Sequence, residues 1–99
     1  MNYSRTDSGE ATVLHIEGTL DAVTAPELRG EVDRLIQEQR KDVTLELSAL
    51  RLIDSSGVGV IVSLFKGVRA YGGQVRIVGL RDQPRAIFRL LRLDRVFPV

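Results

Sequence analysis

The sequence predicts an α/β domain built on a mixed β-sheet of four to five strands, with helices packed mainly on one face. Two patterns lead to that expectation. Short segments of alternating apolar and polar residues are interleaved with longer ones whose apolar residues recur every three to four positions. These are the periods of half-buried strands and amphipathic helices. Strands that alternate with helices favour parallel pairing, because a helix carries the chain back across the sheet. The 99 residues suffice for one domain, and no repeat, low-complexity tract or linker divides them, so the domain is expected to span 1–99.

A first strand is expected at Tyr3–Asp7, with Ser8-Gly9 as its turn. In Ala11–Glu17 the side chains of Thr12, Leu14 and Ile16 share one face and His15 takes the other, until Gly18 ends the strand. Thr24-Ala25-Pro26-Glu27 reads as a capping box: Thr24 accepts from a first-turn amide, Glu27 reaches back, and Pro26 is tolerated in the first turn. Leu28, Val32, Leu35 and Ile36 then predict a helix to about Gln39. Asp42–Leu47 alternates as a strand. Leu50, Leu52 and Ile53 lead into Asp54-Ser55-Ser56-Gly57, and the apolar spacing of Val58–Tyr71 predicts a helix that Gly72-Gly73 stops. Val75, Ile77 and Leu80 suggest another strand. Asp82 is a candidate N-cap for a short helix, with Pro84 in its first turn and Ala86, Ile87, Leu90 and Leu91 along it. Arg95–Val99 is expected as a final edge strand, where Pro98 is admissible. The predicted order is β-β-α-β-α-β-α-β.

Composition narrows the function. Hydrophobic residues make up 43% and charged residues 27%, the balance of a globular domain. Cysteine is absent, which excludes disulfides, thiolate metal sites and cysteine nucleophiles and fits the cytoplasm. The net charge of +1 is no footprint for nucleic acid. Arg81, Arg85, Arg89, Arg92 and Arg95 make the last third basic, as a solvated helical face or a surface for an acidic partner. The N-terminus lacks the apolar run of a signal peptide. No stretch approaches the ~20 apolar residues of a membrane span.

Catalytic signatures fail in turn. His15 is the only histidine and cannot build a histidine-rich metal site, and carboxylates at ligand spacing are absent. A triad drawn from Ser55, His15 and Asp21 lacks the G-x-S-x-G elbow. Gly57-Val58-Gly59 opens like a dinucleotide fingerprint, but Val62 stands at the third glycine position and no P-loop lysine is present. These glycines are better read as close packing where a strand end meets a helix start. The expectation is no metal, no cofactor and no enzymatic activity.

Asp54-Ser55-Ser56-Gly57 remains. Any of its three polar residues would serve as a helix N-cap, and one is enough. The other reading is a regulatory phosphosite, in which a phosphate meets free backbone amides at the positive end of the helix.

Within Leu52-Ile53-Asp54-Ser55-Ser56-Gly57-Val58-Gly59-Val60 the sequence resembles the signature of STAS domains, in particular the bacterial anti-sigma factor antagonists. Gly18-Thr19-Leu20-Asp21, Thr24-Ala25-Pro26 and Tyr71-Gly72-Gly73 resemble further family segments, so the likeness covers nearly the whole chain. Leu93-Asp94 departs from it, where the family often has glycine, and the chain stops at Val99 without the extension of some members. The resemblance implies a cytoplasmic partner switch. An unmodified antagonist binds an anti-sigma factor, itself a serine kinase of the histidine-kinase-like ATPase fold, and so frees the sigma factor. Phosphorylation of Ser55, the hydroxyl directly after the aspartate, ends binding, and a metal-dependent serine phosphatase resets it. Ser56 is the rival acceptor. The implied partner surface is Asp21, Thr24, Asp54, Ser55, Ser56 and Gly57, on a monomer or weak dimer that takes neither nucleic acid nor membrane. The alternative is a STAS scaffold or accessory subunit, in a stressosome-like assembly or a lipid-transport complex, with no phospho-switch.

Overall fold

Two strands at the N-terminus form an antiparallel hairpin, β1 (Asn2–Ser8) and β2 (Ala11–Leu20), with Asn2 opposite Glu17 and Ser8 opposite Ala11. The computed structural model describes residues 1–97. Helix α1 (Ala25–Gln37) leads to β3 (Asp42–Glu46), which pairs parallel to β2 from Ala11↔Asp42 to His15↔Glu46. A short strand, β4 (Leu50–Ile53), pairs parallel to the end of β2 at Gly18, Thr19 and Leu20. Helix α2 (Ser55–Ala70) returns the chain to β5 (Gln74–Val78), parallel to β3. Helix α3 (Asp82–Leu90) and a 3₁₀ turn at Leu93–Arg95 follow. The sheet order is β1-β2-β3-β5, with β4 beside β2.

The mixed five-stranded sheet agrees with the predicted class, but the element order does not. β4 was not expected as a strand. Four residues are too few to display a period, and only Leu50 and Ile53 of the four are buried. The final strand is absent as far as the description reaches: Arg95 lies in the 3₁₀ turn and Val96–Phe97 are not in a strand, while Pro98 and Val99 lie outside the described residues. Arg92 takes a left-handed φ of 60°, which turns the chain back over the helices. Phe97 is thereby buried, its ring centroid 4.7 Å from that of Phe65 on α2 and 6.0 Å from that of Phe88 on α3. Leu80 falls beyond β5, because Gly79 at φ +77° ends the strand.

Two caps differ from expectation. Thr24 makes no side-chain bond to the first turn of α1, because its hydroxyl donates instead to the Thr19 carbonyl at 2.9 Å. Asp82 takes a φ of 54° and caps nothing; Arg81 holds the N-cap position, without a side-chain bond.

One face of the sheet presents Leu14, Ile16, Val43, Leu45, Val75 and Ile77 to the helices, and all are buried. Helix α1 meets them with Leu28, Val32 and Leu35, and α2 with Ile61, Leu64 and Val68. His15, Glu17 and Arg76 stand exposed on the other face, as strand alternation requires. The two long helices approach closely at Gly67, where a β-carbon would collide with Ile36. Arg5 ties β1 to α1: its guanidinium bonds Asp7 at 3.0 Å, Glu31 at 3.2 Å and Glu38 at 2.6 Å. Burial pushes the Glu31 carboxyl up, but Arg34 and Arg5 outweigh it and hold it below its ordinary value.

Candidate functional site

The parallel pairing of β2 with β4 places Leu20 opposite Ile53, so both strands end at the same level. Each feeds a helix, so the loop Asp21–Thr24 and the junction of Asp54 with the first turn of α2 meet at one end of the molecule. Open α/β sheets place their sites outside such carboxyl ends.

Asp54 holds the junction together. It is the N-cap of α2: Oδ1 accepts from the amides of Ser56 at 2.9 Å and Gly57 at 3.1 Å. Oδ2 accepts from the Ala22 amide at 3.3 Å, and the Asp54 amide donates to the Leu20 carbonyl at 3.2 Å. One carboxylate thus starts the helix and ties down the neighbouring loop. This answers the question left by three consecutive capping residues: Asp54 is the cap, and α2 begins at Ser55, three residues before the expected Val58. It also corrects the expectation of free amides for a phosphate. The Ser56 and Gly57 amides are already engaged by Asp54, and the Val58 amide donates to the Asp54 carbonyl at 3.0 Å.

Ser55, the first helical residue, is exposed, and its hydroxyl has no hydrogen-bond partner among the described residues. Ser56 is half-buried. Asp21 closes the facing loop on itself. Its Oδ1 accepts from the amides of Val23 at 3.0 Å and Thr24 at 3.1 Å, while the Asp21 amide donates to the Thr24 hydroxyl at 3.0 Å. The Thr24 amide above all, with that of Val23, holds the Asp21 carboxyl below the usual carboxylate range.

Gly57 is buried, and the reason is contact. A β-carbon there would sit 2.7 Å from Leu20 Cγ, 2.7 Å from the Leu20 carbonyl oxygen and 2.8 Å from Ile53 Cγ1. The first turn of α2 is pressed onto the ends of both strands, and only glycine permits it. Gly59 differs, since nothing lies within 4 Å of its missing β-carbon. The close-packing reading therefore holds for Gly57 and not for Gly59.

The structure brings Asp21, Thr24, Asp54, Ser55, Ser56 and Gly57 to this one end. It adds three residues that sequence reasoning passed over. Val23, at the tip of the Asp21 loop, is 86% exposed, and Leu52 on β4 is 51% exposed. A valine between Asp21 and Thr24 was a readable signal; Leu52 stood in the apolar run that leads into Asp54. The third is Gln83 on α3. Its Oε1 accepts from the Ile53 amide at 3.0 Å and its Nε2 donates to the Ile53 carbonyl at 2.9 Å. A side-chain amide here takes the place of a neighbouring strand along β4, directly before Asp54. Nothing in the sequence pointed to it.

Both Asp54 oxygens accept from main-chain amides.

Comparison with known proteins adds four findings. The STAS domain family matches residues 3–99. An anti-sigma-B factor antagonist of Bacillus subtilis is 30% identical over 86 residues, covering 87% of this chain and 78% of that protein. Among solved structures, an anti-sigma factor antagonist from Mycobacterium paratuberculosis superposes with a TM-score of 0.88 at 23% identity, over 98% of this chain and 82% of that one. The Bacillus cell fate determinant SpoIIAA in its phosphorylated form gives 0.79 at 20% identity, over 95% and 86%.

Proposed function

The chain belongs to the STAS domain family, and from that premise we propose that it is an anti-sigma factor antagonist whose hold on its partner is switched off by phosphate on Ser55. The observation that carries this reading is the Ser55 hydroxyl itself: exposed, without a partner among the described residues, and fixed at the first turn of a helix that Asp54 locks to the adjoining loop. Access lets a kinase reach the hydroxyl, and the fixed position sets where a phosphate would stand. The name of the Bacillus subtilis relative and the phosphorylated state of SpoIIAA support it.

The reaction is a simple transfer. A partner kinase moves the γ-phosphoryl of ATP to Ser55 Oγ; the new P–O bond replaces the O–H, the proton goes to a base on the kinase, and ADP leaves. A serine phosphatase that uses a metal-bound water reverses the step by hydrolysis. In the unmodified state Val23 and Leu52 offer exposed apolar surface beside the serine, and Asp21 keeps the Val23 loop in shape. The phosphate adds about −1.5 to −2 charges at neutral pH. It arrives next to the Asp54 carboxylate, with the Ser56 and Gly57 amides already bonded, so an interface closing over it must desolvate an incompletely compensated anion. A coupling of about 1–3 kcal/mol weakens binding some 5- to 150-fold.

The test uses wild-type, Ser55→Ala and Ser55→Asp chains as baits in native lysate, with bound proteins identified by mass spectrometry. A histidine-kinase-like ATPase retained by wild type and Ser55→Ala and depleted on Ser55→Asp is the expected result. Equal recovery of transport or scaffold proteins by all three baits would sink the switch and leave Ser55 as a helix-start residue of a scaffold.

A further inference from the structure

We propose that the end of α3 and the turn after it form a basic, apolar patch that docks the protein reversibly on a membrane surface rich in anionic phospholipid. The resemblance to STAS domains implies no membrane contact; the exposed residues of α3 point the other way, independently of the Ser55 switch. Pro84 and Phe88, one turn apart, form the buried stripe of α3, and Ile87 beside them is half-buried. The outward side carries two other stripes, Arg85 with Arg89 and Ala86 with Leu90, and all four residues are exposed. The outward side of a surface helix is ordinarily polar, yet Leu90 is 77% exposed. Leu91 follows at 51% and Val96 at 48%. The left-handed Arg92 turns the chain back, and Phe97, its ring centroid 6.0 Å from that of Phe88, keeps Val96 at the same helix. Three large apolar side chains thus stand in water at one end of α3.

Positive charge surrounds them. Residues 81–95 hold five arginines against two aspartates, Asp82 and Asp94, while the whole chain carries only +1. The rest of the chain is therefore net negative, and the positive field is concentrated on this segment. Among the described residues, Arg85, Arg89, Arg92 and Arg95 are in no ion pair. Basic residues clustered on an amphipathic helix draw it to anionic lipid, and apolar residues among them enter the boundary between headgroups and acyl chains.

Shape and charge together select the occupant. Leu90, Leu91 and Val96 protrude, and a fluid lipid interface takes protruding side chains without a cavity cut to fit them. An acidic protein would need such cavities among its carboxylates. Nucleic acid would meet the arginines through its phosphates and leave the leucines in water. A second copy of this chain would oppose two patches of like charge. Gln83, which reaches Ile53 beside the Ser55 site, lies in the first turn of α3, so the apolar residues stand at the other end of the helix from that contact.

The experiment sediments the intact chain with vesicles of phosphatidylcholine alone or of equimolar phosphatidylcholine and phosphatidylserine. Binding to the mixed vesicles only, weakened by salt, is the expected result. Arg85→Gln/Arg89→Gln should bind them roughly thirtyfold more weakly, and Leu90→Ser roughly tenfold. Because the chain has no cysteine, Leu90→Cys can carry a single environment-sensitive fluorophore, whose emission should move to the blue on the mixed vesicles. The same label on Val23→Cys should not move. No binding to either vesicle, equal binding to both, or a shift at Val23 in place of Leu90 overturns the proposal. So does undiminished binding by Leu90→Ser, or capture by polyglutamate or duplex DNA with none by vesicles. A concentration-dependent dimer that Leu90→Ser abolishes, without vesicle binding, overturns it as well. Ser55→Asp should sediment as wild type does, which keeps the outcome separate from that of the Ser55 switch.

Discussion

Removing the Asp54 carboxylate should loosen both halves of the site, because one side chain supplies both restraints. In Asp54→Ala the Ser56 and Gly57 amides lose their acceptor at 2.9 and 3.1 Å, and the Ala22 amide loses its contact at 3.3 Å. Losing an N-cap costs about 0.5–2 kcal/mol, and the long, exposed Ala22 bond adds a few tenths, roughly the low end of a net hydrogen bond. The sum is about 1–2 kcal/mol. For a domain of 99 residues each kcal/mol moves the melting temperature by about 4–8 °C, so a fall of about 5–15 °C is expected in a circular-dichroism melt. Asp54→Asn keeps an acceptor in the same place and should lose well under half as much. Amide hydrogen exchange at Ser56 and Gly57 should quicken in the alanine variant and stay slow in the asparagine one. An alanine variant that melts within about 2 °C of wild type would refute the reasoning and show that strand pairing alone holds the loops.

Other outcomes can be read from the same structure. Gly57→Ala forces a β-carbon within 2.8 Å of Leu20 and Ile53 and should destabilise by about 1–3 kcal/mol, whereas Gly59→Ala should be neutral or stabilising by up to about 1 kcal/mol; equal effects in urea titrations would contradict the contact argument. Gln83→Ala deprives the Ile53 main chain of two side-chain partners and should cost about 1–2 kcal/mol, with faster exchange of the Ile53 amide; unaltered exchange would mean that water replaces the side chain without loss. Arg5→Met should cost about 1–3 kcal/mol at neutral pH. Asp7 and Glu31 sit below their ordinary values of 3.8 and 4.5, Asp7 chiefly through its bond from Arg5. The stability they contribute is therefore present above those values and is lost as pH falls through the lower folded ones. The gap between wild type and Arg5→Met should accordingly narrow below about pH 4, and a gap that widens in acid would reverse the assignment.

Much of this was legible beforehand because it is local. The alternation of Thr12, Leu14 and Ile16 needs only the geometry of a strand, and the spacing of Leu28, Val32 and Leu35 only that of a helix. Asp54-Ser55-Ser56-Gly57 announced a helix start before an apolar run, and its likeness to the STAS signature drew Asp21 and Thr24 to the same surface. Local pattern misled where a side chain had a stronger partner elsewhere. Thr24 looked like a cap, yet its hydroxyl bonds Thr19; Asp82 looked like a cap, yet its backbone turns left-handed. Leu52 stood in an apolar run, but lies exposed on a strand too short to show which face it takes.

What the chain determined alone was most of the elements and the candidate residues, since propensity and periodicity act within a few positions. Tertiary contact decided the rest. The pairing of Leu20 with Ile53 sets two loops side by side, Asp54 bridges 32 residues to reach Ala22, and Gln83 bridges 30 to reach Ile53. Such bonds form only once the strands have chosen their neighbours, and no window of sequence contains both partners. That choice leaves Ser55 exposed at the first turn of α2.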